Sequence, residues 1–344
     1  MCRNEILNLL KLILIIIICF HHTGWWSENM HHGYIAVEFF FIVSGYFLYQ
    51  TFFKKNKSLK EYFYSRLLRL YPTYFLILLV YLFFSIAFPQ FYENYSLAGW
   101  VISAIRDTFL LQSVGLDLDN VTLLRFNPYD WYVSAFFWSS IFLYSILKYK
   151  NLCKKCMLAI VVCIYSFYFV FKVGGLNELW GYYYIFYMPL WRALAGMSIG
   201  VLLGMTLQKE YIRNYLIKNI RLFNGCTIMS LVVIIYCIIT TNDFDFLCCL
   251  CFICVISNTL FPQGLGNYLN NNRYLRLLPD ISLEMLLLHK ITILISVKIM
   301  SVLGVLDIFY VKYIGYIGLT ICIAYIYNQK IVPYLKKLLR IQLV

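Results

Sequence analysis

Long apolar segments alternate with short polar ones along the whole chain. Ten of them lie near 6–22, 34–53, 70–88, 129–147, 157–173, 185–207, 226–241, 246–261, 281–303 and 309–327. A helix needs roughly 20 residues to cross the hydrocarbon layer of a bilayer, and each segment comes close to that length. The pattern predicts an all-α, polytopic integral membrane protein, because helices satisfy their own backbone hydrogen bonds in lipid. An eleventh stretch, 97–113, carries Arg106 and Asp107 at its centre. If it also crossed, every later loop would change sides, so the charges decide. With the N-terminus inside and 97–113 an interfacial or re-entrant helix, the basic clusters Lys54 to Arg69, Lys148 to Lys155, Lys209 to Arg221, Arg273 with Arg276, and Lys330 to Arg340 all fall inside. The outer loops keep acids instead: Glu28, Glu93, Asp117, Asp119, Glu178, Asp243, Asp245 and Asp307. The excess of Lys and Arg on cytoplasmic loops therefore predicts ten spans with both termini cytoplasmic. No internal repeat or long linker divides residues 1–344, which read as a single integral-membrane domain.

Composition narrows the class further. Of 344 residues, 62% are hydrophobic and only 13% charged, which excludes disordered, collagenous and disulfide-framework chains. The net charge of +13 is carried by the orientation clusters, and no nucleic-acid motif accompanies it. Most of the twelve cysteines sit inside apolar runs, where free Cys acts as a small hydrophobe. Cys153 and Cys156 form a lone C-x-x-C without a second pair or a nearby His, so no metal site is expected. The apolar run 12–20 lacks an A-x-A cleavage site and reads as a retained first span.

Ionisable residues inside spans are expensive and mark function by default. His21 and His22 end the first span on the outer side. Glu38 lies about 6 Å into the second span from that side, and Arg192 about 10 Å into the sixth. Asp130 and Trp131 open the fourth. Lys11 and His22 are eleven residues apart, about three turns plus 20°, hence on one helix face. His21 points about 100° away, which makes His22 the better candidate for the interior. His21, His31 and His32 read equally well as interfacial residues, Glu38 as a counter-ion for Arg192, and Lys11 as a snorkelling cation. A polar cavity in the outer leaflet suits a transporter or an enzyme.

Three stretches carry a more specific signal: Lys11 to His22 followed by Thr23-Gly24, the run Val37-Glu38-Phe39-Phe40-Phe41-Ile42-Val43-Ser44-Gly45-Tyr46-Phe47-Leu48, and the run from Tyr62 through Arg66, Arg69 and Pro72 to Tyr74. Trp131-Tyr132-Val133-Ser134-Ala135, Arg192 with Gly196, Gly200 and Gly204, and Ile281 to His289 support them. In this order and spacing they resemble the type-3 acyltransferase family, bacterial integral-membrane enzymes that O-acylate cell-envelope sugars. The chain departs from the family at two positions. Lys11 stands where the family usually has Arg, and Phe136 stands where many members carry Glu.

The resemblance implies a multi-pass protein of the bacterial cytoplasmic (inner) membrane. Its activity would be O-acyl transfer, most simply O-acetyl transfer, from cytoplasmic acyl-CoA to a hydroxyl of an extracytoplasmic polysaccharide or lipid-linked sugar, with no metal. Arg66 and Arg69 share a helix face ahead of Pro72, which reads as a helix start, and are the candidates for holding the donor's phosphates. His22 is the candidate general base, with Glu38 orienting its ring. Lys11, Arg192 or Ser44 would stabilise the oxyanion. Asp130, Trp131 and Tyr132 are candidates for the acceptor. Transfer is either direct or through an acyl-His intermediate. His289, far in depth from His22, fits a donor-side or structural role. The rival readings are a transporter or flippase of a lipid-linked saccharide and a non-catalytic membrane relative of the family.

Overall fold

The computed structural model of the chain describes residues 4–23, 32–88, 95–115, 125–177, 182–183, 186–240, 244–265, 272–276, 280–305 and 309–338. His31, Gly24 and the expected outer acids Glu28, Glu93, Asp117, Asp119, Glu178, Asp243 and Asp307 lie outside the described residues. In chain order the helices are α1 (Glu5–His21), α2 (Ala36–Lys55, entered through a 3-10 turn Gly33–Ile35), α3 (Leu59–Ala87), α4 (Leu97–Thr108), α5 (Trp131–Leu147) and α6 (Leu152–Val173). A two-stranded hairpin, β1 (Tyr182–Tyr183) and β2 (Phe186–Tyr187), precedes α7 (Met188–Leu207), α8 (Glu210–Lys218), α9 (Ile220–Ile239) and α10 (Asp245–Leu260). Then come the short α11 (Arg273–Arg276), α12 (Ser282–Val302), α13 (Phe309–Ile326), a π-helical turn (Tyr327–Ile331) and α14 (Val332–Leu338).

Each of the ten predicted segments is helical over most of its described length, and the one predicted from 185 opens on the strand β2. Among the described residues, six helices are long and apolar enough to cross a membrane, and α5 and α10 are shorter apolar helices. The protein is an all-α membrane protein. Helix starts differ from the hydropathy pattern because capping, not hydrophobicity, sets them. α3 begins eleven residues before the predicted 70. There Ser58 Oγ accepts from the Glu61 N–H at 3.2 Å and Glu61 Oε2 accepts from the Ser58 N–H at 2.7 Å, a reciprocal capping box. Pro72, read from sequence as a helix start, lies inside the same helix. Likewise α6 starts at Leu152, where the Asn151 side chain accepts from the Lys154 N–H. The stretch 97–113 is helical only to Thr108, begun by a Ser96 cap. In α8, nine residues predicted as basic loop form a helix with no buried residue.

Two compact units are built from interleaved segments. The first takes Met1–Lys57, Phe142–Leu179 and Trp191–Ser282, the second Ser58–Ile141, Trp180–Leu190 and Leu283–Val344. In the first, glycines let α2 and α7 meet backbone to backbone. A Cβ on Gly45 would strike the Met197 main chain, and one on Gly200 would strike Ile42 O and Tyr46 N. Gly196 and Gly204 face the side chains of Phe41 and Tyr49. Spaced four residues apart, Gly196, Gly200 and Gly204 form one stripe along α7, the small-residue device that replaces hydrophobic driving force inside lipid. Gly200→Ala will force the two helices apart. The thermal midpoint of the detergent-solubilised chain will fall by the equivalent of about 1–3 kcal/mol. Gly318→Ala, whose new Cβ meets nothing within 4 Å, will leave it unchanged.

Candidate functional site

Close approach of α2 and α7 closes a buried ion pair in the first unit. Arg192 Nε and Nη2 both donate to Glu38 Oε1, at 2.9 and 2.8 Å, and neither side chain is exposed at all. The second carboxylate oxygen, Oε2, is buried without a hydrogen-bond partner and faces Gly196. Glu38 therefore spends its hydrogen bonds on Arg192 and none on an imidazole.

His22 caps the C-terminal end of α1, its N–H bonding to Ile18 O. Its ring centre is 5.3 Å from that of His21. His21 packs against the turn that enters α2. Its ring stands edge-on to Tyr34 at 5.8 Å, and a Cβ on Gly33 would come within 2.8 Å of its own Cβ. Lys11 is paired with Asp280, Nζ to Oδ2 at 2.6 Å, and Ser282 Oγ donates to the other oxygen at 2.7 Å. Partial desolvation would raise the Asp280 carboxyl, but the Lys11 ammonium and the Ser282 hydrogen bonds outweigh it and hold the group below the usual carboxylate range. Ser44 lies six residues beyond Glu38, about 9 Å along α2, and its hydroxyl makes no hydrogen bond among the described residues. The structure thus joins Glu38 with Arg192 and gives Lys11 a partner of its own.

The second unit holds the other candidates. Arg66 is 9% exposed, its Nε donates to Tyr62 Oη at 2.7 Å, and its guanidinium lies 5.1 Å from the Tyr62 ring centre and 5.3 Å from that of Phe136. Phe136 thus covers the cation with an aromatic face. Tyr132 stacks on Phe136 with ring planes 2° apart, so it supports Arg66. No carboxylate neutralises Arg66 among the described residues. Arg69 is exposed on the next turn.

Asp130 and Trp131 line a cleft together with Arg106, Gln112, Arg125, Asn127 and Tyr187. Asp130 Oδ2 accepts from Gln112 Nε2 at 3.0 Å and from Tyr74 Oη at 3.3 Å. Gln112 also bonds the Tyr74 hydroxyl, which donates to the Asp107 main chain at 2.8 Å. Arg106 Nε donates to Asp107 Oδ1 at 2.8 Å, while Asp107 Oδ2 is buried without a partner. Sequence reading used Arg106 and Asp107 only to decide topology and missed Tyr74 and Gln112 as members of this network. The signal available was two opposite charges in the middle of an amphipathic stretch. His289 is fully buried, with Nδ1 2.7 Å from Leu286 O and its ring 4.4 Å from Tyr129. A carbonyl only accepts, so the proton sits on Nδ1. Among the described residues no three His, Cys, Asp or Glu side chains converge to hold a metal ion.

The family model described as an acyltransferase domain matches residues 4–329, spanning both units and all of these side chains. The chain belongs to the acyltransferase 3 family. Comparison with curated proteins and with solved structures finds no match. This family member is a membrane acyltransferase by domain, and its first-unit pair sets a stability test. Arg192→Gln will strand a buried carboxylate and cost about 3–5 kcal/mol, read as a loss of folded chain in detergent. The double variant Glu38→Gln with Arg192→Gln will recover most of that loss.

Proposed function

We propose that the chain transfers an acyl group, in the simplest case acetyl, from cytoplasmic acyl-CoA to a hydroxyl of an extracytoplasmic polysaccharide or lipid-linked sugar, in the cytoplasmic membrane of a bacterium. The observation that carries this reading is Arg66. A cation nine-tenths buried without a counter-ion is costly, and it persists where an anionic ligand completes it. Tyr62 and the Tyr132–Phe136 stack fix the guanidinium plane while occupying only Nε. The two Nη groups are left to fork onto a phosphate, as Arg does in bidentate recognition. Exposed Arg69, one turn along, extends the same face toward the nucleotide end of the donor.

At the acceptor, Asp130 and Trp131 offer a carboxylate and an aromatic face in a cleft where two arginines, Arg106 and Arg125, balance two aspartates, Asp107 and Asp130. The cleft has room for about one water, so its lining is suited to meeting an acceptor hydroxyl and not a whole sugar ring. His22 takes the hydroxyl proton, the oxygen attacks the thioester carbon, and the C–S bond breaks as the thiolate leaves with a proton. Of the three candidates for meeting the oxyanion, Arg192 is held by Glu38 and Lys11 by Asp280, which leaves the Ser44 hydroxyl for that role. Glu38 serves this chemistry through Arg192, which it neutralises and orients, and acyl-His22 is the two-step variant of the same transfer.

Deleting the gene, or changing His22→Ala in a chain that still reaches the membrane, will abolish alkali-labile acetate on the surface polysaccharide. Arg66→Gln will raise the KM for acetyl-CoA about tenfold or more, with a smaller effect on kcat, in isolated membranes. Unchanged acetate together with loss of the glycan from the surface would replace this reading with transport.

A further inference from the structure

Near the C-terminal end of α1 the first unit holds a second histidine arrangement, built from the 3-10 turn before α2 and the first turn of α10. His32 Nδ1 is 2.7 Å from Asp245 Oδ1, and Tyr34 Oη donates to Asp245 Oδ2 at 2.6 Å. Tyr34 Oη is also 2.8 Å from His32 Nδ1. A carboxylate only accepts, so Asp245 takes the Nδ1 proton on one oxygen and the hydroxyl proton on the other. The imidazole lone pair is thereby fixed on Nε2. Among the described residues that atom has no hydrogen-bond partner, and the side chain is 14% exposed. Asp245 and Tyr34 are each about nine-tenths buried, and the His32 N–H is tied to Ile238 O at 3.5 Å. A carboxylate behind one ring nitrogen and an open lone pair on the other is the arrangement that makes His a general base. Ring centres step from His22 to His21 at 5.3 Å, to Tyr34 at 5.8 Å and to His32 at 5.4 Å, so both histidine sites belong to one end of the unit.

Acyl transfer through His22 needs such a group. Once His22 carries the acyl group on one ring nitrogen, electron withdrawal by that group leaves the other nitrogen too weak a base to deprotonate the acceptor. We propose that His32, positioned by Asp245 and Tyr34, is the base of a second half-reaction in which acyl-His22 passes its acyl group to the acceptor hydroxyl. This rests on the acyltransferase reading given above. In the first half-reaction the His22 nitrogen attacks the thioester carbon, the C–N bond forms, the C–S bond breaks, and the thiolate leaves with the proton shed by the ring. In the second, the acceptor oxygen attacks the acyl carbon, the C–O bond forms and the C–N bond breaks. The hydroxyl proton goes to His32 Nε2 and is returned to the His22 ring, so both imidazoles end neutral. His32 is the catalytic residue of that step; Asp245 and Tyr34 are positioning residues.

Membranes from the source cells contain the full chain with its native acceptor, and radiolabelled acetyl-CoA is the probe. Wild-type membranes will pass label to glycan. In His32→Ala membranes labelled glycan will fall about 100-fold or more, while label accumulates on the chain at His22, and added imidazole will restore transfer. Label on the variant chain is itself evidence that it is folded. Asp245→Asn will show the same split at smaller amplitude, and His22→Ala will label neither. The proposal is overturned if His32→Ala labels glycan like wild type, or if it loses label on chain and glycan together without imidazole rescue. If wild-type membranes label neither glycan nor chain, the acyltransferase reading fails first, and this one with it.

Discussion

A carboxylate and a guanidinium at zero exposure, joined by two hydrogen bonds to one oxygen, sit where α2 crosses α7. Neither charge is tolerable there alone, since an unpaired ion in a low-dielectric interior costs several kcal/mol. The pair forms because Gly45 and Gly200 remove the side chains that would hold the two backbones apart. The α2 motif and the α7 glycine stripe are thus two halves of one contact. It fixes the register of the helix that leads from the Tyr34 turn into the membrane, and with it the end of the unit where the histidines gather. Gly33 repeats the device at that end, leaving room for the His21 side chain.

The second unit solves a related problem differently. Among the described residues Arg66 has no carboxylate beside it, and its guanidinium lies 5.1 Å from the Tyr62 ring centre and 5.3 Å from that of Phe136, on which Tyr132 stacks. Aromatic faces attract a cation without neutralising it. A Glu at position 136 would sit where the Phe136 ring now covers Arg66 and would compete with any phosphate for the same Nη donors. Phe136 therefore covers the charge without neutralising it, as the proposed donor binding requires. The cleft of Asp130 and Trp131 follows a third logic, in which charges of both signs share one buried network through Tyr74 and Gln112.

Hydropathy alone located every long helix, because a bilayer-length apolar run leaves few alternatives to a helix. It misjudged starts, since Ser58 with Glu61 and Asn151 act through backbone N–H groups that no hydrophobic average records. The Glu38–Arg192 contact was visible as a bland alternative, two opposite charges at similar depth, and the glycine stripe was visible as spacing. Other contacts across long separations stayed out of reach. Asp245 read as an outer-loop acid and His32 as an interfacial residue, yet 213 positions apart they meet at 2.7 Å. Tyr132 is a local miss: adjacent in sequence to a cleft residue, it stacks along its own helix on Phe136, four residues on.

Sealed inside-out membrane vesicles offer the most direct test of acyl transfer across the bilayer. Labelled acetyl-CoA, which cannot cross, is added to the exposed cytoplasmic face, and alkali-labile acetate is measured on glycan inside the lumen. Lumenal labelled ester that depends on the chain is the result expected of an enzyme drawing its donor from one side and its acceptor from the other. Lumenal glycan that depends on the chain for its arrival, yet carries no labelled ester, would contradict it.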